Sequence, residues 1–287
     1  MDNTVEKIKL RNGYEMPCIG FGTWDMKDEE VAVKAVKEAI SKGYRHIDTA
    51  ASYKNEKSIG RAIKECGVPR EELFITSKVW ATERGYEKTK ASFEKSLKDL
   101  GLDYIDLFLI HWPASPNKFD NWKEINLDTW KALTELYKEG KVKAIGVSNF
   151  RQRHLEALMK TEVKPMVNQI EFNPGNKHMK TLDYCKNNKI QVEAWSPLGR
   201  ARILDNEILV SLGKKYGKSP AQICLRWCLQ NDVIPLPKST TPSRIEENLQ
   251  VFDFEIAEDD MTTINGMPSF GWSGLDPDEV DFHKKYI

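Results

Sequence analysis

Ile105-Asp106-Leu107-Phe108-Leu109-Ile110 is a short apolar run closed by His111. Downstream, Trp130, Leu133 and Tyr137 fall at helical spacing, and the stripe stops at Gly140. Lys143-Ala144-Ile145-Gly146-Val147-Ser148-Asn149-Phe150 follows. A short apolar run, a helical stripe ending at a C′ glycine and a second apolar run form one strand-helix-strand unit.

Working outward, the alternation extends in both directions. The expected strands are Ile19–Gly22, Tyr44–Ile47, Leu73–Ser77, Ile105–Ile110, Ala144–Val147, Met166–Ile170, Gln191–Trp195 and Val233–Leu236. The first two gain support only from the rhythm of the rest. Asp28 can cap a helix on which Ala32, Val36, Ala39, Ile40 and Gly43 share a face. Ser219-Pro220-Ala221-Gln222 reads as a capping box with proline at its first helical position. Asn12-Gly13, between the short runs Lys7–Leu10 and Tyr14–Ile19, signals a hairpin ahead of the main pattern. Eight strands alternating with helices predict a parallel (β/α)8 barrel, with an open doubly wound sheet as the alternative. The 287 residues fit one domain, 1–287, without linker or repeat. The tail beyond Gly266, with Phe270, Trp272, Phe282 and Tyr286, is expected to fold over the active-site end.

Forty-three acidic and forty-three basic side chains leave no net charge, so nothing points to nucleic acid or an anionic membrane as partner. Met1-Asp2-Asn3-Thr4-Val5-Glu6-Lys7 lacks the apolar core of a secretory signal. No apolar stretch approaches the roughly 20 residues of a membrane span. Five cysteines without framework spacing read as reduced thiols of a cytoplasmic protein, with Cys224 and Cys228 facing the core. No zinc spacing is present, and no metal is expected. A monomer is expected, with a dimer as the alternative.

Gly20-Phe21-Gly22 lacks the third glycine of a Rossmann fingerprint. Gly217-Lys218-Ser219 lacks the first glycine of a P-loop, because position 212 is leucine. Gly146-Val147-Ser148-Asn149-Phe150 fails the nucleophile elbow at its last residue. In a barrel the reactive groups sit at the carboxyl ends of the strands. Read in order, those ends carry Asp48, Lys78, His111, Ser148-Asn149, Gln169, Trp195-Ser196 and Lys238-Ser239, with Tyr53 in the loop after Asp48. Singly, each is an ordinary surface or half-buried side chain. On consecutive strand ends the fold points them into one cavity.

Three stretches now resemble the aldo-keto reductase superfamily. They are Gly43-Tyr44-Arg45-His46-Ile47-Asp48-Thr49-Ala50 with Tyr53, Glu56 and Gly60; Lys143 to Phe150; and Leu236-Pro237-Lys238-Ser239 with Arg244 and Asn248. The likeness is nearest to the small bacterial and protozoan reductases of diketogluconate, glyoxal or methylglyoxal. It implies a barrel that binds NADPH and reduces small aldehydes, ketoaldehydes or ketones, with Asp48, Tyr53, Lys78 and His111 as the catalytic set. Tyr53 would donate the proton, Lys78 would lower the phenol pKa from about 10, Asp48 would keep Lys78 charged, and His111 would orient the carbonyl. Steroid double-bond reductases of the family have glutamate in place of this histidine, so His111 favours carbonyl reduction.

The resemblance further implies Ser148, Asn149 and Gln169 on the nicotinamide carboxamide and Trp195 stacked on the ring. Gly22, Thr23, Ser196, Leu198, Lys238, Ser239, Arg244 and Asn248 complete the implied cofactor seat. Lys238, Ser239, Arg244 and the helix start at Thr241-Pro242 would hold the phosphate that distinguishes NADPH from NADH. Trp24, Trp80, Trp112 and Trp272 would wall the substrate pocket, and no charged residue there marks an acid substrate. A cofactor-binding regulatory or structural module of the same fold is the alternative, and a barrel isomerase or aldolase without nicotinamide is a third reading.

Overall fold

The computed structural model describes residues 5–280 and Phe282; Tyr286 and residues 1–4 lie outside the described residues. Strands β1 (Lys7–Lys9) and β2 (Glu15–Pro17) pair antiparallel. Eight parallel strands follow in consecutive order: β3 (Phe21–Gly22), β4 (His46–Asp48), β5 (Phe74–Val79), β6 (Ile105–Ile110), β7 (Val142–Ser148), β8 (Val167–Glu171), β9 (Gln191–Trp195) and β10 (Val233–Pro235). The first and last close on each other, since Gly20 N donates to Pro235 O and Gly22 N to Pro237 O, each at 3.0 Å. A Cβ at Gly20 would come within 2.6 Å of His46 Nδ1 and 2.5 Å of Leu236 Cδ2, so this seam needs a glycine.

Helices α1 (Glu29–Lys42), α2 (Glu56–Glu65), α3 (Tyr86–Leu100), α4 (Trp122–Lys138), α5 (Gln152–Leu158) and α6 (Met179–Asn187) alternate with the strands. Two helices, α7 (Glu207–Tyr216) and α8 (Pro220–Gln230), separate β9 from β10, and α9 (Pro242–Leu249) and α10 (Glu258–Asn265) follow. Every residue of β6 is buried, as expected of a parallel strand covered on both faces. Asp28 accepts from Val31 N at the start of α1, and Gly43, at φ 113°, ends it. Ser219 and Gln222 form the expected capping box of α8. α2 and α3 approach so closely that a Cβ on Gly60 would meet Leu100 O at 2.2 Å.

The hairpin covers the amino end of the barrel. Tyr14 Oη donates to Asp106 Oδ1 (2.6 Å), Asn12 Nδ2 to Lys143 O (3.0 Å) and Arg11 Nη1 to Pro165 O (3.3 Å). All three acceptors lie near the amino ends of their strands, so the carboxyl ends stay open for a site.

Some boundaries differ from expectation. Tyr44 is not in β4: its amide closes α1 by donating to Ala39 O, its ring packs edge-on against Phe21, and its hydroxyl donates to Ile245 O. The second strand is therefore shifted to include Asp48. Lys78 lies inside β5 rather than after it. All five cysteines are free thiols, and Cys224 and Cys228 are buried. Among the described residues no helix is long and apolar enough to cross a membrane.

Candidate active site

At the carboxyl end of the barrel lies a cleft of about 1400 Å³. Its floor is made by strand ends. Asp48, the last residue of β4, and His111, directly after β6, line it, and Lys78, the penultimate residue of β5, lies buried just behind Asp48. The Lys78 ammonium is fully buried and spends its donors on Asp48 Oδ1 (2.7 Å) and Oδ2 (2.9 Å), Thr49 O (2.8 Å) and Tyr53 Oη (3.4 Å). Tyr53 ends a 3₁₀ turn, Ala51–Tyr53. Asn55 pins the following loop by donating to Thr23 O and Met26 O and accepting from Thr49 Oγ1.

Burial opposes the charge on Lys78, but Asp48 and the nearby phenol outweigh it and raise the Lys78 pKa. Burial pushes the Tyr53 phenol up, and the pull of Lys78 does not fully reverse it. Lys78 thus pulls the phenol down as expected, but burial outweighs it, and Tyr53 is protonated. Burial, aided by Lys78, holds the His111 pKa well below its ordinary value, so the ring is neutral. Ser52 Oγ lies 3.3 Å from His111 Nδ1. A hydroxyl donated there leaves the ring proton on Nε2, free to donate. Ser52 carried no recognisable signal in the sequence.

The next three strand ends form a bonded group. Ser148 Oγ donates to Gln169 O (2.8 Å), Asn149 Nδ2 to Ser148 Oγ (3.1 Å) and His111 O (3.0 Å), and Trp195 Nε1 to Asn149 Oδ1 (2.8 Å). Asn149 adopts φ 64°, a left-handed conformation that asparagine tolerates. Gln169 Nε2 donates across the barrel to Asp48 Oδ2 (2.8 Å). Gly22, Asn149, Gln169, Trp195, Ser196, Leu198, Lys238, Ser239, Arg244 and Asn248 all line the cleft. Thr23 and Ser148 do not line it; Thr23 Oγ1 donates to Asp48 O, so both sit one layer behind. Thr241 precedes Pro242 at the start of α9 but makes no side-chain cap bond; Ser239 Oγ accepts from Thr241 N instead.

Trp24, Trp80 and Trp112 line the cleft. His111 meets Trp80 edge-on at 5.2 Å between ring centroids. The Trp24 ring, 42% exposed, lies 4.3 Å from the Arg200 guanidinium across the opening. Trp272 is a correction: it is 47% exposed and not part of the lining. Ser273 bonds Glu171 through both its amide and its hydroxyl, which fixes the chain there and leaves the neighbouring indole outside. The tail supplies Leu275, Val280 and Phe282 instead, and Phe282 packs edge-on against Trp80 (5.0 Å) and Trp112 (5.7 Å). Asp276 and Asp278 anchor this segment through Arg151 (2.8 and 2.6 Å), Arg153 and His154 (2.9 Å).

A model of the Aldo/keto reductase family matches residues 18–267. The chain belongs to that family. This aldo/keto reductase is 52% identical to the glyoxal reductase of Bacillus subtilis (strain 168), over 96% of this chain and 98% of the relative. Its fold is similar to that of an aldo-keto reductase from a Medee basin deep-sea metagenome library, with TM-score 0.90 and 47% identity over 96% of this chain and all of that one. The Bombyx mori aldo-keto reductase, solved in complex with NADP, superposes with TM-score 0.86 and 35% identity over 92% and 93% of the two chains.

The cleft of this aldo/keto reductase also suits an elongated, anionic cofactor. Ser196 Oγ, beside Trp195, is buried without a hydrogen-bond partner among the described residues. Lys238 and Arg244 are exposed on the wall, and no side chain caps the first turn of α9 between them. One end of the cleft thus offers an indole and an orphaned hydroxyl, and the other offers cations.

Proposed function

We propose that this chain reduces the carbonyl of small aldehydes, ketoaldehydes or ketones to alcohols, using NADPH. The observation that carries this reading is the buried Asp48–Lys78–Tyr53 cluster, with neutral His111 beside it, on a cleft with a cationic far end.

NADPH, when bound, supplies a hydride to the carbonyl carbon. Gln169, Asn149 and Trp195 would hold its nicotinamide end, and Lys238, Ser239 and Arg244 its ribose phosphate, with Asn248 beside the adenine. His111 donates from Nε2 to the carbonyl oxygen and sets its direction. Tyr53 Oη gives its proton to that oxygen as negative charge develops. The phenolate left behind is stabilised by Lys78, and Asp48 keeps the ammonium protonated in a site that would otherwise favour its loss. Trp80, Trp112 and Phe282 exclude water from the reacting oxygen, which strengthens both donors. The free thiols and the need for cellular NADPH favour a cytoplasmic location.

The test is NADPH consumption by the purified chain across glyoxal, methylglyoxal and larger carbonyls, with the alcohols quantified. Stoichiometric alcohol is expected. NADPH binding with no turnover on any carbonyl would favour the regulatory module, and no binding at all would overturn the assignment.

A further inference from the structure

Beneath the catalytic floor lies a second polar layer that the proposed chemistry does not use. Strand side chains alternate, so residues two positions before a floor residue share its face. His46 precedes Asp48 in this way, Thr76 precedes Lys78 and Glu193 precedes Trp195. All three are buried inside the barrel, where branched apolar residues usually pack. His46 Nε2 lies 3.0 Å from Thr76 Oγ1 and 3.6 Å from Glu193 Oε1.

Glu193 stands opposite Gln169 in the β8–β9 register. Gln169 Nε2 donates both ways, to Asp48 Oδ2 at 2.8 Å and to Glu193 Oε2 at 3.0 Å. Two carboxyl acceptors thus claim the amide nitrogen of Gln169. Its Oε1 must turn elsewhere, and Gln169 borders the cleft. We propose that Glu193 is a positioning residue: it fixes the Gln169 amide so that Oε1 faces the cleft as an acceptor for the carboxamide N–H of the nicotinamide.

This rests on the reading of Gln169 as a cofactor ligand. The charge arrangement supports it. One ammonium, Lys78, faces two carboxyls, and Asp48 takes both of its oxygens' contacts. Burial, with the Asp48 charge nearby, raises the Glu193 carboxyl and favours the form that holds a proton. Oε1 has no hydrogen-bond partner among the described residues and is the oxygen left to hold it, while Oε2 accepts from Gln169. A neutral amide can copy that arrangement, whereas an alkyl group cannot.

The experiment compares dissociation constants for NADPH and for its acetylpyridine analogue, whose methyl ketone has no N–H to donate. Wild type, Glu193→Gln and Glu193→Leu are measured by quenching of tryptophan fluorescence. Glu193→Leu should weaken NADPH by about 5- to 10-fold, the range of one neutral hydrogen bond, and leave the analogue unchanged. Glu193→Gln should match wild type for both. Should Glu193→Leu not fold, Glu193→Met, which is closer to glutamate in length and offers no oxygen acceptor, serves the same comparison. Equal weakening of both ligands, or a preference for NADPH left intact, overturns the role of Glu193. If wild type itself binds NADPH and the analogue equally, the reading of Gln169 fails first, and the role of Glu193 fails with it.

Discussion

The floor and the rim of the cleft are held in different ways. The floor is strand-borne: Asp48, Lys78, His111 and Gln169 sit on or directly after barrel strands, and their bonds run between buried groups across the barrel interior. The rim is tail-borne: Leu275, Val280 and Phe282 belong to a segment without helix or strand, anchored by two carboxylates on Arg151, Arg153 and His154 of the α5 start. The lesson is a division of labour. Groups that must keep sub-ångström geometry are mounted on the most constrained backbone, and groups that only shape the opening are hung on an ionic clamp that sequence change can re-aim.

Breaking the floor should cost most. Lys78→Met leaves Asp48 as an unpaired buried carboxylate, and a broken buried pair typically costs about 3–5 kcal/mol. A matching fall in stability from urea unfolding, with activity lost, is expected; unchanged stability would show that the pair is not held as described. His111→Ala removes one donor to the developing oxyanion, and kcat should fall about 10²–10³-fold while NADPH affinity is retained. Normal turnover in that variant would reduce His111 to a packing residue.

How much of each region was legible in the sequence follows from the same division. The floor residues could be read because each closes a short apolar run that carries its own local signal. The apolar run puts Lys78 just after its strand, whereas β5 runs on through Val79. Glu193 could have been noticed, since a glutamate between Val192 and Ala194 in a buried strand needs a partner. The closure of β3 on β10 could not, because it joins residues more than 200 positions apart through backbone bonds alone. The rim is hard to read from sequence for a similar reason. Trp272 stands out as an aromatic, but Asp278 decides the tail's path through contacts with Arg151 and His154, more than 120 residues away.

The far wall sharpens the comparison at intermediate size. Arg244→Ala should weaken NADPH by about 10- to 100-fold, the loss of a charge-assisted contact, and leave NADH little changed. Equal weakening of both, measured by fluorescence quenching, would move the phosphate site elsewhere.

The rim should give the smallest and most substrate-selective effects. Asp278→Asn loosens the clamp, so kcat/KM for larger ketones should fall by about 10-fold while glyoxal is little affected. A uniform fall would mean that the tail serves folding rather than selection. The pH response has a definite sign. Burial alone would raise the Asp278 carboxyl, but hydrogen bonds from His154 and Arg153 outweigh it and hold it at about 2. The clamp is therefore complete above pH ~4, the ordinary aspartate range, and is lost as pH falls through about 2. An NMR titration of the Asp278 carboxyl should find it ionised throughout pH 4 to 8, and protonation within that range would contradict the clamp.

Tyr53→Phe tests the assignment of the chemistry most directly, because it removes the donated proton and leaves the ring, the cleft and the Lys78–Asp48 pair in place. Carbonyl reduction should fall about 10²–10⁴-fold with the NADPH dissociation constant unchanged. Wild-type turnover in Tyr53→Phe would contradict the role given to the buried cluster.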